Sequence, residues 1–197
     1  WVPLEKIILP GEHNKDNALA AAVAAEAAGV SRVHIIEVLK SFSGLPNRLQ
    51  LVRTVRGVRY YNDTTATMPE ATIAALKALG NGNQKSKIKN KKCIVLIAGG
   101  ADKKLNYREM VKYVKQYCKA VVLLPGTATV KLVRECKMQN AKCKMIEVKS
   151  MRNVVKKAYE NAQEGDIVLL SPAAASFGLF KNEFDRGTQF VAQVKKL

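Results

Sequence analysis

Cys93-Ile94-Val95-Leu96-Ile97-Ala98 carries no polar side chain, and no other stretch of this 197-residue chain narrows its possible folds so far. A continuous apolar run of that length, rich in branched residues, suits a strand buried on both faces, where neither face has a place for a polar group. The run closes at Gly99-Gly100-Ala101-Asp102-Lys103, and helical spacing follows from about Tyr107 to Cys118. The pairing then recurs. A strand over Ala120 to Leu124 precedes a helix over Thr129 to Met138, and a strand over Met145 to Val148 precedes a helix over Met151 to Ala162. A strand over Asp166 to Leu170 is followed by a last helix near Phe184 to Lys195. Successive β-α units of this kind assemble a parallel sheet, so the expected class is α/β, a Rossmann-like mostly parallel sheet with helices on both faces.

Upstream, strands over Leu49 to Val55 and Val58 to Tyr61 flank the turn Arg56-Gly57, and a helix is expected from Pro69 to about Leu79. Between strand and helix lies Asn62-Asp63-Thr64-Thr65-Ala66-Thr67-Met68-Pro69-Glu70. Helix capping accounts for Thr67 as cap, Pro69 near the first helical position and Glu70 closing a capping box. It does not require Asn62 or Asp63. A strand-to-helix turn also presents polar side chains and free N–H groups beside the positive end of a helix dipole, a place suited to anionic or hydroxyl-bearing ligands.

Before this regular pattern the chain reads differently. Pro10-Gly11 ends an apolar run, the segment Gly11 to Asn17 is polar, and an alanine-rich helix is expected over Ala18 to Ala28 with Gly29 as its stop. Ser31 caps a second helix with Val33, Ile36 and Leu39 on one face, ending by Gly44. Two short helices enclose no core of their own, so residues 1–44 are expected to belong to a larger domain and residues 45–197 to form the Rossmann-like one.

Hydrophobic residues at 48% and charged residues at 25% indicate a globular protein. No apolar run approaches the roughly 18 residues of a membrane span, and the amino terminus lacks a signal peptide, so a cytoplasmic location without a membrane partner is expected. Cys93, Cys118, Cys136 and Cys143 form no C-x-x-C pair, and His13 and His34 are too few for a Cys/His zinc site. The thiols are expected to be reduced and structural, and no metal site is assigned. The formal net charge of +17 raises a nucleic-acid partner as an alternative. Much of that excess sits in Lys85, Lys87, Lys89, Lys91 and Lys92, beginning in a stretch, Gly80 to Ser86, with loop composition. No aromatic residues are interleaved there for base stacking, which favours a solvated loop over a nucleic-acid footprint.

Three turns after strands are unusually polar or small: Asn62 to Thr67, Gly99 to Lys103, and Ser171-Pro172-Ala173-Ala174-Ala175-Ser176. In a parallel sheet all three emerge at one edge. There Lys103 suits a carboxylate or phosphate, Thr67 and Ser176 can hydrogen-bond one, and Asp63 can accept from ribose-like hydroxyls. No nucleophilic triad, G-x-x-x-x-G-K-[ST] loop or G-x-G-x-x-G spacing is present. The residues alone therefore indicate an anion-binding or nucleotide-associated domain without naming a reaction.

Four stretches occur together and in order: Gly11-Glu12-His13-Asn14-Lys15-Asp16-Asn17-Ala18, Leu45-Pro46-Asn47-Arg48-Leu49, Tyr61 to Thr67, and Leu170 to Phe177 continuing through Lys181-Asn182-Glu183-Phe184-Asp185-Arg186-Gly187. Across essentially the whole chain they resemble the C-terminal part of a Mur ligase, of the branch that adds D-glutamate to UDP-N-acetylmuramoyl-L-alanine in peptidoglycan synthesis. The resemblance implies that residues 1–44 are the tail of a central ATPase domain and residues 45–197 the C-terminal glutamate ligase domain. It implies ATP and Mg2+ as cofactors, an acyl phosphate attacked by the D-glutamate amine, and the missing N-terminal and central domains as partners. Carried over by position, Asn14 and Asn17 lie near adenine, Arg48 and Asp63 reach phosphate and ribose, and Thr67, Lys103, Ser176 and Phe177 hold D-glutamate. The phosphate loop and magnesium ligands are expected upstream of Trp1, leaving no catalytic or metal-binding residue in this chain. Three departures stand out: Thr65 where such ligases carry lysine, Met68 where they carry asparagine, and Asn47 in place of the usual histidine before Arg48. The first raises a different amino acid as an alternative substrate.

Overall fold

The computed structural model describes residues 1–82 and 92–197. The lysine-rich run from Lys85 to Lys91 lies outside the described residues. Two compact units divide the chain, Trp1–Leu45 and Pro46–Leu197.

The first unit holds a 3-10 turn over Leu4–Lys6, helix α1 over Glu12–Ala27 and helix α2 over Arg32–Ser41. Helix α1 begins six residues before the expected Ala18. Asparagine and aspartate favour turns over helix interiors, but here Gly11, at φ 98°, turns the chain, and Asn14 Nδ2 donates to Pro10 O at 2.8 Å. That bond engages a side chain that would otherwise compete with the helix. Ser31 caps α2, its hydroxyl accepting from the His34 N–H, as the sequence indicates. Only Ala18, Ala22 and Ile35 of this unit are buried.

The second unit is a six-stranded sheet. Its strands are β1 Gln50–Val55, β2 Val58–Asn62, β3 Ile94–Gly99, β4 Cys118–Leu124, β5 Lys144–Glu147 and β6 Ile167–Leu170. The spatial order is β1-β2-β6-β3-β4-β5. Among the strand pairs of the described residues only β1–β2 is antiparallel, closed by Arg56 and Gly57, both at positive φ as a tight hairpin demands. All other pairings are parallel.

The helices are α3 Pro69–Gly82, α4 Arg108–Tyr117, α5 Thr127–Met138, α6 Met151–Glu160 and α7 Glu183–Val194. Strand β3 shows why the sheet must be covered twice. Ile94, Leu96 and Ala98 join the core beneath α3, α4 and α5, while Val95 and Ile97 join the core beneath α6 and α7. Ile94, Leu96 and Ile97 are fully buried, each worth on the order of 2 kcal/mol. The α/β class with helices on both faces is thus what forms.

Helix α3 runs through Gly80-Asn81-Gly82, where loop composition pointed to an exposed loop. The Tyr117 ring packs so closely on Gly80 that a Cβ there would collide with it, and Tyr117 Oη donates to Asn81 Oδ1 at 2.8 Å. The glycine serves close packing here rather than a turn. Cys93, Cys118 and Cys136 are buried, Cys143 is half-buried, and all four are free thiols. Burial pushes the Cys136 thiol up to about 12 and Cys118 well above its ordinary range, keeping both protonated. Among the described residues no helix is long and apolar enough to cross a membrane.

Candidate functional site at the carboxyl edge of the sheet

Because β2, β6 and β3 are sheet neighbours, the turns that follow them leave the same edge side by side. Main-chain bonds then join them. The Asp63 N–H donates to Leu170 O at 2.8 Å, the Ala173 N–H to Ala66 O at 2.9 Å, and the Gly99 N–H to Pro172 O at 2.8 Å. Ala101 and Ala175 exchange two bonds, at 2.9 and 3.2 Å. Such an approach leaves no room for a side chain at Gly100, whose φ is 137° and whose Cβ would strike Ala175 O. The Gly99-Gly100 pair therefore permits backbone contact between turns.

On this platform Lys103 Nζ donates to Thr67 Oγ1 at 3.2 Å, across 36 positions of sequence. Thr67 is half-buried and Lys103 exposed, so the ammonium keeps donors available for an anion. Helix α3 starts at Pro69, which places Met68, not Thr67, just before its first residue. The Thr67 hydroxyl thus faces the lysine in place of the capping role that sequence spacing allows. Ser176 is buried, next to the bridged Ala175, and Phe177 stands out 69% exposed.

Asp63 occupies the layer beneath. Its Oδ1 accepts from the Leu49 N–H at 3.1 Å and its Oδ2 from Ser171 Oγ at 2.8 Å, with 9% of the residue exposed. Burial pushes its pKa up to about 6, against the opposing pull of those two bonds and of the Arg48 charge. Arg48 itself is exposed. Asn47, at φ 68°, accepts from Asn62 Nδ2 at 2.8 Å through its side chain, and its carbonyl accepts from Thr65 Oγ1 at 2.9 Å. Thr65 is therefore bound to the loop before β1. Asn14 and Asn17 belong to the first unit, Asn14 half-buried in the first turns of α1 and Asn17 exposed.

Two features were not singled out from sequence. Ser171 Oγ lies 3.0 Å from Thr72 Oγ1, and Thr72 Oγ1 donates to Ser171 O at 3.2 Å, so a helix residue without any local signal completes the Asp63 network. Arg186 is completely buried. Its Nε donates to Thr64 Oγ1 at 3.0 Å, Nη2 to Thr64 O at 2.8 Å and Nη1 to Ala174 O at 3.2 Å. Burial lowers its pKa to about 10, with Glu183 opposing, so the guanidinium stays charged at neutral pH and ties the β2 turn to the β6 turn. Its place in the run Lys181 to Gly187 was the available signal. Gly187 follows it because a Cβ there would stand 2.5 Å from Asn47 Oδ1 and 2.6 Å from Thr64 Cγ2.

The exposed Arg48 suits a phosphate oxygen, whereas Asp63 leaves little surface for a sugar hydroxyl. Among the described residues no group of three or more His, Cys, Asp or Glu is placed to hold a metal ion.

Comparison with known proteins supplies the relationship. The family model described as Mur ligase, glutamate ligase domain, matches residues 47–174. The chain is 43% identical over 187 residues to a UDP-N-acetylmuramoylalanine--D-glutamate ligase of Roseiflexus sp. (strain RS-1), covering 94% of this chain and 38% of that protein. It is 40% identical over 198 residues to the enzyme of the same name from Thermoanaerobacter sp. (strain X514), covering 100% of this chain and 41% of that one. The chain thus spans about two fifths of the length of these curated relatives. Among solved structures, the UDP-N-acetylmuramate-alanine ligase MurC of Thermotoga maritima shares the fold at a TM-score of 0.68 and 17% identity, over 95% of this chain and 39% of that chain. FolC of E. coli does so at 0.59 and 20% identity, over 91% and 38%. The extent of the family match, together with these identities, shows that the chain belongs to the Mur ligase family and carries its glutamate ligase domain.

Proposed function

We propose that this chain is the C-terminal part of an ATP-dependent ligase that adds D-glutamate to UDP-N-acetylmuramoyl-L-alanine. In this reading residues 1–44 end a central ATPase domain, and residues 45–197 receive the amino acid. The observation that carries it is the Lys103–Thr67 pair, 3.2 Å apart on two of the three joined turns. A cation beside a hydroxyl, with Ser176 and Phe177 on the adjoining turn, suits a dicarboxylate whose amine must be held in one orientation. The Asp63 carboxylate, engaged below by Leu49 and Ser171, does not compete for Lys103.

ATP, when bound, would supply the γ-phosphoryl group that converts the substrate carboxylate to an acyl phosphate, with ADP as the leaving group; attack by the amine of D-glutamate would then form the amide and release phosphate. Arg48 is assigned to a phosphate and Asn14 and Asn17 to the adenine, while Asp63, only 9% exposed and already accepting from Leu49 and Ser171, is assigned to a ribose hydroxyl through the lone pairs those two bonds leave open. The Mg2+ ligands are assigned to the part of the relatives' length that this chain does not span. This chain's own contribution is then to bind and orient the nucleophile, which brings the reacting atoms together without adding a catalytic residue.

The Lys103→Met variant tests the pair. Loss of a charge-assisted contact is expected to weaken D-glutamate binding by about 10-fold or more, read by NMR titration of the chain, with L-glutamate as control. In the full-length protein, phosphate release should require ATP, D-glutamate and UDP-N-acetylmuramoyl-L-alanine together, and absence of release would refute the assignment. A second reading, a different amino acid, is favoured by one observation: Thr65 Oγ1 is bound to Asn47 O and brings no charge to the site. A panel of amino acids in the same assay decides between them, since strict preference for D-glutamate removes the alternative.

A further inference from the structure

A groove of about 660 Å3 runs between α5 and the end of β5, and its lining includes none of Thr67, Lys103 or Ser176. Helix α5 explains why it is there. The face bearing Ala128, Leu132 and Cys136 is buried in the sheet core, as four-residue spacing requires. A second stripe with the same spacing, Val130, Arg134 and Met138, is not used by that core. Val130 is 71% and Met138 65% exposed, and both line the groove with Leu124, Val133 and Val148. Three cations, Arg134, Lys137 and Lys149, share this lining with one carboxylate, Glu147.

The chemistry of the occupant follows from that combination. The apolar wall favours an alkyl or aryl body, and the excess of cations favours an anionic head. The volume falls in the range of about 300–1,000 Å3 typical of small-molecule sites. A second copy of the chain would bring the same cations and the same net charge of +17, and so be repelled. We propose that this groove is a second ligand site, separate from the amino-acid site, for an amphipathic organic anion with an apolar body and an anionic head.

Decanoate and decyltrimethylammonium, which share an alkyl body and differ in the sign of the head, are the probes, each added to the 197-residue chain below its micelle concentration. Methyl NMR should show saturable shifts of Val130, Val133, Met138 and Val148 with decanoate, and about 10-fold weaker binding of the ammonium compound. Arg134→Glu combined with Lys137→Glu should weaken decanoate by about 10-fold while the remaining methyl spectrum stays in place, since both side chains are exposed. Equal affinity for the two heads, indifference to the double substitution, or shifts spread over other exposed apolar residues such as Phe177 and Val33 would overturn the proposal. So would groove methyls that move with protein concentration alone, which would make a second copy the occupant, or an acidic peptide that saturates them where decanoate does not.

Discussion

Asp63 holds a carboxylate where little water reaches it, and the consequence is a pH dependence of stability. Its ordinary pKa of 3.8 rises to about 6 in the folded protein, chiefly through burial. Between those values the folded state binds the proton more tightly than the unfolded chain does. This contribution is therefore full below about pH 4 and lost as pH rises to about 6 and above, at a cost of roughly 2–3 kcal/mol. Asp63→Asn, which can still accept from the Leu49 N–H, should flatten the stability curve over that interval, as measured by thermal unfolding from pH 4 to 7. Arg186 presents the opposite case, a buried charge held by carbonyl and hydroxyl oxygens of two turns. Arg186→Ala leaves Thr64 O and Ala174 O without these donors and opens a cavity, so a loss of roughly 3 kcal/mol or more is expected in urea denaturation. Asp63 lies in the polar turn after β2 and Arg186 in the run Lys181 to Gly187, both distinctive in the sequence. Neither environment was visible there, because burial depends on what the rest of the chain places overhead.

Turns and helix starts at the carboxyl edge are set by contacts between elements. The N-terminus of α5 is fastened to the turn after β3. The Ala128 N–H donates to Gly100 O at 2.9 Å, the Gly100 N–H to Thr129 Oγ1 at 3.2 Å, and the Asp102 N–H to Thr127 Oγ1 at 2.9 Å. Gly126, at φ 149°, lies so close to Gly100 O that no Cβ fits between them. Gly126→Ala is expected to cost roughly 2–4 kcal/mol and to move the amide resonances of residues 99–103, including Lys103, because the carbonyl it strikes belongs to that turn. A substitution at Gly178, where a Cβ would meet nothing within 4 Å, keeps the strain of φ 96° without the collision and serves as the control. Sequence spacing started this helix at Thr129, two residues late, since the hydroxyls of Thr127 and Thr129 serve a neighbouring turn that no local pattern reveals.

At the scale of the whole molecule, the two units differ in how much they bury. Residues 1–45 contain three buried apolar side chains, two of them alanines, whereas residues 46–197 pack two clusters on opposite faces of one sheet. A segment that small buries too little apolar surface to offset its conformational entropy. Residues 46–197 expressed alone are expected to unfold cooperatively, with a single transition seen by both circular dichroism and tryptophan-independent fluorescence. Residues 1–45 alone should show no cooperative transition. A second segment that failed to fold by itself would mean that its two cores depend on residues outside it.

What the sequence determined by itself was the class and direction of the sheet. A strand without polar residues must be covered on both faces, and repeated β-α units run parallel, so the turns after β2, β3 and β6 were bound to leave one edge. The hairpin at Arg56-Gly57 and the Ser31 cap were equally local. Only the tertiary structure decided that β6 lies between β2 and β3. That order sets Ser171 against Asp63 across 108 positions, Arg186 against Thr64 across 122, and Lys103 against Thr67 across 36. Local periodicity encodes which face of an element is apolar. It does not encode which elements become neighbours, and hydrogen bonds shorter than a side chain's reach depend on that choice.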